Sequence, residues 1–330
     1  MIISRTPFRI SFFGGGTDYP SWYGKNGGAV LSTTIDKYCY ITARYYPSFH
    51  PTKHRIVWSK IELVDSGDDI AHPSVRETLK HLQIKEGVEI HNAADLPARS
   101  GLGSSSTFTV GLLHALHALM DKPVTKMKLA LDAMHIEQDL IKENVGSQDQ
   151  LAASFGGLNK FTFGGASDIG VQPIVLPDRR LEALQNDLML VFTGFSRTAS
   201  EIAEEQIKNS HRKERELRTM HSMVDKAIDI LRSDGDLNDF GKLLHETWIL
   251  KRGLSGKISN PQIDDIYEAA RNAGAIGGKL LGAGGGGFML LFVTPEKQAR
   301  VREALKNYTF VPVKFETEGS QIIYRQNGSA

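Results

Sequence analysis

The first residues of the chain alternate between apolar and polar side chains. Within residues 2–13, Phe8, Ile10 and Phe12 share one face, and Arg9 lies on the opposite face. A period of two residues predicts a β-strand. Segments rich in Thr, Ile, Val and Tyr favour further strands, which we expect over residues 28–46, 55–64 and 87–92.

Apolar residues spaced three and four apart predict helices elsewhere. In the helix expected over residues 104–120, Phe108, Leu112 and Leu116 form one apolar arc. Further helices are predicted over residues 69–83, 125–143, 197–232, 236–252 and 261–273, with strands at 187–194 and, after a glycine loop, within 285–294.

After about residue 165, the predicted secondary structure changes from mainly strands to mainly helices. A chain of 330 residues is also longer than one average core requires. We therefore expect an α+β chain of two domains, residues 1–180 and residues 181–330, joined near residues 178–184.

Charge and composition exclude several classes of protein. With 39 basic and 38 acidic residues, the net charge of +1 gives no support for a nucleic-acid or membrane partner. The single cysteine, Cys39, excludes an internal disulfide and thiol-rich metal sites. No apolar stretch is long enough to span a membrane, and the start lacks a secretion signal. We expect a cytoplasmic protein and leave a homodimer open.

The segment GLGSSS, residues 101–106, combines glycines and serines at a helix start. Free backbone N–H groups and the helix dipole bind phosphate oxygens at such a position, and small side chains let the phosphate approach. A serine hydroxyl can also bind Mg²⁺. The alternative is a simple glycine turn with an N-cap serine.

Two carboxylates follow this segment. Glu137 lies in the middle of an apolar helix face formed with Met134 and Ile141, where a carboxylate is costly without a partner. It either pairs with a buried cation or binds a metal. Asp149 precedes the next helix, as a cap or as an acid–base group. A capping box is also expected there, between Ser147 and Gln150.

Three motifs resemble those of the GHMP small-molecule kinases. RTPFRISFFGGGTDY at 5–19 resembles the first motif, LPARSGLGSSST at 96–107 the second, and KLLGAGGGGFMLLF at 279–292 the third. The resemblance implies an N-terminal S5-like α/β domain and a C-terminal ferredoxin-like domain, with the active site between them. It implies ATP and Mg²⁺ as cofactors.

The resemblance also implies roles for individual residues. Asp149 would be the catalytic base and Arg9 a catalytic cation near the acceptor oxygen. Ser105 and Glu137 would bind the metal. The nucleotide would be held by Ser100, Gly101, Leu102, Gly103, Ser104, Ser105 and Ser106.

On the acceptor side, the resemblance implies that Asp18 hydrogen-bonds sugar hydroxyls, unless it only forms an Asx turn. Gly15, Gly16 and Thr17 would line the same subsite, and Gly285 would belong to the wall near the phosphates.

GGGTDYPSWY and GSQDQLAASFGGLN are similar to the branch that phosphorylates the anomeric hydroxyl of sugars. That likeness implies a small-molecule sugar phosphate as acceptor, in the first place D-glycero-D-manno-heptose 7-phosphate, for a nucleotide-activated heptose of surface polysaccharide. A second phosphate needs its own cation, with Arg197, Lys208, Arg44 and Arg55 as candidates. A different acceptor, such as fucose or mevalonate, and an inactive sugar sensor are the alternatives.

Overall fold

A computed structural model of the chain describes residues 1–165, 168–194 and 199–326. It contains two β-sheets with helices packed on and between them. The strands are β1 (Ile2–Phe13), β2 (Gly28–Tyr45), β3 (His54–Val57), β4 (Ile61–Val64), β5 (Val88–Ala94), β6 (Asn159–Phe163), β7 (Ile169–Pro173), β8 (Leu188–Phe192), β9 (Gly277–Leu280), β10 (Phe288–Phe292), β11 (Thr309–Val311), β12 (Phe315–Glu316) and β13 (Gln321–Arg325).

The α-helices connect the strands and cover their faces. They are α1 (Pro20–Asn26), α2 (Pro73–His81), α3 (Ser104–Leu119), α4 (Lys126–Met134), α5 (Gln148–Phe155), α6 (Asp178–Asn186), α7 (Ala199–Asn209), α8 (Glu214–Arg232), α9 (Asn238–Arg252), α10 (Pro261–Ala273) and α11 (Pro295–Ala304). No helix in the described part of the chain is both long and apolar enough to cross a membrane.

The first sheet has the order β13-β1-β2-β5-β3-β4, and β2 also pairs with β6 and β12. The long strand β2 is its centre because it pairs antiparallel with β1, β5 and β6. Helix α3 packs on β1 and β2, so the serine-rich start of that helix is held against the strand that carries Arg9. The backbone N–H of Arg9 donates to the carbonyl of Leu102 (3.1 Å).

The second sheet is antiparallel, with the order β11-β8-β10-β9. Helices α8 and α9 lie between the two sheets, since both contact β1 and α9 also contacts β9. Aromatic rings join these layers: Phe240 on α9 meets Phe12 and Phe13 of β1 edge to face, with ring centroids 5.4 and 5.1 Å apart. Edge-to-face packing of this kind adds to the stability gained from burial.

The α+β architecture expected from the sequence is confirmed, with differences in detail. The strand expected over 55–64 is the hairpin of β3 and β4, and the helix expected over 125–143 continues past α4 as a π-helical turn at His135–Leu140. The predicted boundary at residue 180 stays a prediction. The last strands, β12 and β13, pair with β2 and β1 of the first sheet. A division into residues 1–180 and 181–330 would separate these two strands from the sheet to which they belong.

Candidate active site

A cleft of about 250 Å³ lies where β1, the start of α3, the segment before α5, and α9 meet. Residues distant in sequence line it together, among them Arg9, Asp18, Ser105, Asp149 and Lys251. We call this space the cleft. It collects most of the site residues predicted from the sequence.

The serine-rich loop forms one wall of the cleft. Gly101, Gly103 and the three serines 104–106 line it, and α3 begins at Ser104 with Gly103 in the left-handed conformation (φ +79°). A Cβ at Gly103 would lie 3.3 Å from Asp149 Oδ2. The small residues therefore let the loop backbone lie directly beside the predicted base.

Two residues predicted to hold the nucleotide do not reach the cleft. Ser100 and Leu102 are fully buried behind the loop and are absent from its lining. The carbonyl of Ser100 accepts from the backbone of Phe288, and that of Leu102 from Arg9. These two residues support the loop, because their carbonyls tie it to β10 and β1.

Arg9 and Asp149 form a bidentate ion pair at the cleft. Arg9 Nε donates to Asp149 Oδ1 (2.7 Å) and Nη2 to Oδ2 (2.9 Å), while Nη1 donates to the carbonyl of Gly101 (2.8 Å). The side chains are 5% and 24% exposed. A buried guanidinium fork fixes the direction of the carboxylate. Arg9 is therefore a buried, paired cation and not an exposed charge on an open sheet face.

Glu137 lies behind the serine-rich loop and is fully buried. Its Oε2 accepts from Ser106 Oγ (2.7 Å) and Gln150 Nε2 (2.6 Å), and among the described residues its Oε1 has no partner. Burial raises the pKa of Glu137 to about 7. No buried cation meets it in these contacts, so the structural alternative of an ion pair is not supported.

The serine that touches Glu137 is Ser106, whereas Ser105 is exposed on the cleft wall. A buried carboxylate oxygen without a partner, beside a hydroxyl at a phosphate-type loop, fits a Mg²⁺ ligand set. The capping box is wrong: Ser147 makes no cap bond, and Gln150 donates to Glu137 instead.

Asp18 also lines the cleft. It is 2% exposed, and its carboxylate accepts from the backbone of Gly16 and from Gln148 Nε2, both at 2.9 Å. Burial and then the charge of Asp149 raise the pKa of Asp18. Gly15 and Gly16 line the cleft beside it. Thr17 does not, because its hydroxyl holds the turn through the carbonyls of residues 14 and 29.

Two buried lysines were missed by the sequence reading. Lys251 on α9 and Lys279 on β9 are 6% and 2% exposed and line the cleft. Lys279 Nζ donates to the carbonyls of Ser11 and Phe12 (both 2.9 Å), which ties β9 to β1. Burial lowers the pKa of Lys251 to about 7 and that of Lys279 well below its usual value.

Other predicted contacts lie elsewhere. The backbone N–H of Gly285 donates to Ile258 (2.8 Å), and the third glycine loop reaches the cleft through Gly282 and Ala283 instead. Arg197 lies outside the described residues. The other three candidates for a distal phosphate are paired away from the cleft: Arg44 and Arg55 bind Glu89, and Lys208 binds Glu204.

The arrangement suits transfer of a phosphoryl group to a hydroxyl. A backbone cradle for phosphate, a positioned carboxylate and a cation beside it are the groups that such a transfer requires. Asp18 supplies a hydrogen-bond acceptor for the molecule that carries the hydroxyl.

Comparison with known proteins agrees with this chemistry. Two family models match the chain: GHMP kinases N terminal domain over residues 70–157 and GHMP kinases C terminal over residues 227–310. A D-glycero-alpha-D-manno-heptose 7-phosphate kinase of Campylobacter jejuni is 32% identical over 316 residues, which cover 92% of this chain and 93% of that protein.

Two further relatives are more distant. An L-fucokinase/L-fucose-1-P guanylyltransferase of Bacteroides fragilis is 25% identical, over 92% of this chain and 36% of that protein. In fold, the chain is similar to the crystal structure of a D-glycero-D-manno-heptose 1-phosphate kinase of Bacteroides thetaiotaomicron. The TM-score is 0.79 at 23% identity, over 99% of this chain and 100% of that one.

Proposed function

Because the chain belongs to the GHMP kinase family, we propose that it phosphorylates the anomeric (C1) hydroxyl of D-glycero-D-manno-heptose 7-phosphate. The family and its sugar-kinase relatives make it an ATP-dependent sugar kinase. The acceptor, the position phosphorylated and a place in the synthesis of nucleotide-activated heptose for surface polysaccharide are our proposal. The 32% identity to the heptose enzyme over 92% of this chain supports the acceptor.

The Arg9–Asp149 pair carries the proposal for the chemistry. Asp149 accepts the proton of the attacking hydroxyl, since its carboxylate lies on the cleft and is held in one orientation by two bonds from Arg9. Arg9 places its guanidinium charge beside Asp149, where negative charge develops on the transferred group. The N–H groups of the serine-rich loop hold the nucleotide phosphates.

Mg²⁺ would be held by Glu137 together with a serine hydroxyl of the loop, either Ser106, which already touches the carboxylate, or Ser105. When bound, this ion supplies charge neutralisation for the phosphate oxygens. Protein residues prepare the site: Gln150 and Ser106 fix one carboxylate oxygen and leave the other for the metal.

L-fucose is the second candidate acceptor. It carries no phosphate, and none of the three described cations predicted for a distal phosphate lies in the cleft. The inactive sensor is disfavoured because Arg9, Asp149, Glu137 and the serine-rich loop are all present and assembled.

A substrate panel tests the proposal. The purified chain with ATP and Mg²⁺ is offered D-glycero-D-manno-heptose 7-phosphate, the same heptose without phosphate, L-fucose, D-galactose and mevalonate, and ADP release is measured. We expect the highest kcat/KM with the heptose 7-phosphate, and ³¹P NMR of the product showing a phosphate on C1. Preference for L-fucose would replace our acceptor, and ligand binding without ADP release would indicate a sensor.

A further inference from the structure

On the Asp18 side of the cleft, several buried polar groups have hydrogen-bonding capacity that the described part of the protein does not use. Ser11 Oγ and Gln148 Oε1 have no partner there, although their residues are only 5% and 7% exposed. Both residues line the cleft. A buried polar atom without a partner costs about 1–3 kcal/mol, so atoms of this kind facing a cavity indicate a polar ligand.

These groups lie close together. A Cβ built on Gly15 would be 3.8 Å from Ser11 Oγ and 3.9 Å from Gln148 Nε2. The amide of Gln148 is oriented, because its Nε2 donates to Asp18 Oδ2 (2.9 Å). Its oxygen is therefore the atom that remains to accept a hydrogen bond from a ligand.

Lys251 adds a donor to the same region. Its Nζ donates to the carbonyls of Leu280 (2.8 Å) and Gly282 (2.5 Å), which leaves one of the three N–H groups of an ammonium. After burial, the charges that act on its pKa are those of Arg9 and Asp18. Lys251 lines the cleft together with Arg9, Asp18 and Gln148.

We propose that Gln148, Lys251 and Ser11 complete, with Asp18, a subsite that binds two neighbouring hydroxyls of the acceptor sugar. Gln148 Oε1 accepts from one hydroxyl, Lys251 donates to the oxygen of another, and Ser11 bonds to either. This inference rests on the proposed function, because it takes the acceptor to be a sugar.

The subsite gives the enzyme a physical basis for selecting polyols. An acceptor that lacks one of the hydroxyls leaves a buried polar group unpaired, and sites of this type reject such analogues strongly. The subsite therefore selects against acceptors that carry a methyl or methylene group in place of one of the two bound hydroxyls.

The test compares Gln148→Met and Lys251→Met with the matched control Lys242→Met. Lys242 lies on the same helix as Lys251 and is 64% exposed. In ADP-release assays on the best acceptor of the panel, we expect each of the first two variants to raise the KM for the sugar tenfold or more. The KM for ATP should stay within twofold, and the control should match the wild type.

Deoxy sugars distinguish a sugar-binding role of Gln148 and Lys251 from a purely structural role. The 2-, 3- and 4-deoxy forms of the acceptor are assayed with wild type and with both variants. We expect each variant to lose little further on the one deoxy sugar whose missing hydroxyl it binds, and to lose tenfold or more on the others. Equal losses on every sugar, or a rise in the KM for ATP matching that for the sugar, would overturn the subsite.

Failure of the proposed kinase activity and failure of the subsite give different results in these assays. If the wild type releases no ADP with any sugar, thermal unfolding with and without D-glycero-D-manno-heptose 7-phosphate or L-fucose reports binding alone. Stabilisation of the wild type that both variants lose would keep the subsite without the kinase activity. Active wild type with unchanged Gln148→Met and Lys251→Met kinetics would reject the subsite and keep the activity.

Discussion

Replacing Asp149 by Asn separates the role of its charge from that of its shape. Asn keeps an oxygen to accept from Arg9 Nε, but its NH₂ group faces the Nη2 of Arg9, so one of the two bonds is lost. The substitution also removes the carboxylate that we propose as the proton acceptor. Removing a positioned general base lowers kcat by about 10²–10⁴, and we expect a loss in that range.

The structure also sets the expected change in stability. Arg9 is only 5% exposed, and a buried charge whose partner is removed costs about 3–5 kcal/mol. Asp149 is 24% exposed, and the carbonyl of Gly101 still accepts from Arg9, so water and this contact lower the loss to about 2 kcal/mol. We expect the unfolding midpoint to fall while the Kd for ATP remains within threefold.

The assays are ADP release at saturating ATP and acceptor, equilibrium binding of a non-hydrolysable ATP analogue, and denaturant unfolding. Asp239→Asn is the matched control, because this carboxylate is 55% exposed and lies on α9 outside the cleft lining. If Asp149→Asn keeps kcat within fivefold of the wild type, Asp149 is not the base and the proposed mechanism is refuted.

Two other changes test separate parts of the site, and a third tests a half-buried carboxylate outside the cleft lining. Glu137→Gln should raise the Mg²⁺ concentration for half-maximal rate by about tenfold, because a ligand charge is lost; an unaltered Mg²⁺ titration would return this residue to a structural role. Gly103→Ala places a side chain on a backbone in the left-handed region beside Asp149 and should lower kcat/KM at least tenfold. The control Gly24→Ala, where a Cβ has open space, should leave kcat/KM unchanged. Equal kcat/KM values for the two variants would contradict the role of the loop. Burial and neighbouring carboxylates raise the pKa of Asp187 to about 6, so its contribution to folding is present below about pH 4 and is lost as the pH rises through 6. Asp187→Asn should therefore stabilise the chain by about 1 kcal/mol at pH 8 and by less at pH 4. A larger stabilisation at pH 4 than at pH 8 in urea unfolding would refute this direction of the pKa shift.

The sequence predicts the parts of the site that depend on local pattern. Alternation along β1 places Arg9 opposite the apolar face, and helical spacing predicts a buried Glu137. The glycines and serines of 101–106 predict a helix start with free N–H groups, and α3 does begin at Ser104. Each of these inferences needs only the periodicity of one element.

Contacts between distant elements could not be predicted in this way. The bond between Gln150 and Glu137 joins two elements whose relative position no local pattern specifies, and the expected cap at Ser147 was wrong for that reason. The family resemblance placed Gly285 in the wall near the phosphates, but which N–H groups of a glycine loop face a ligand depends on the carbonyls packed against it.

The missed lysines did leave a signal. Lys251 follows Thr247 and Trp248, which are both buried, at spacings of four and three residues, so it lies on the covered face of α9. Lys279 lies within the short apolar strand β9. Lysine on a buried face is rare without a partner. The partners are backbone carbonyls of other segments, and these become visible only in the folded chain.

The charged groups that line the cleft bear on the burial of Lys251 and Lys279. The charged groups that line the cleft in the described chain are the cations of Arg9, Arg99, Lys251 and Lys279 and the carboxylates of Asp18, Glu143 and Asp149. The cations outnumber the carboxylates, so the cleft favours an added anion. Burial opposes charge on both lysines, and polar groups of a substrate bound in the cleft would offset this penalty. Because a ligand that binds only the folded chain stabilises it, substrate binding should add stability to α9 and β9, the elements that carry these lysines. These buried charges therefore cost most stability when the cleft is empty, and a bound substrate should reduce that cost.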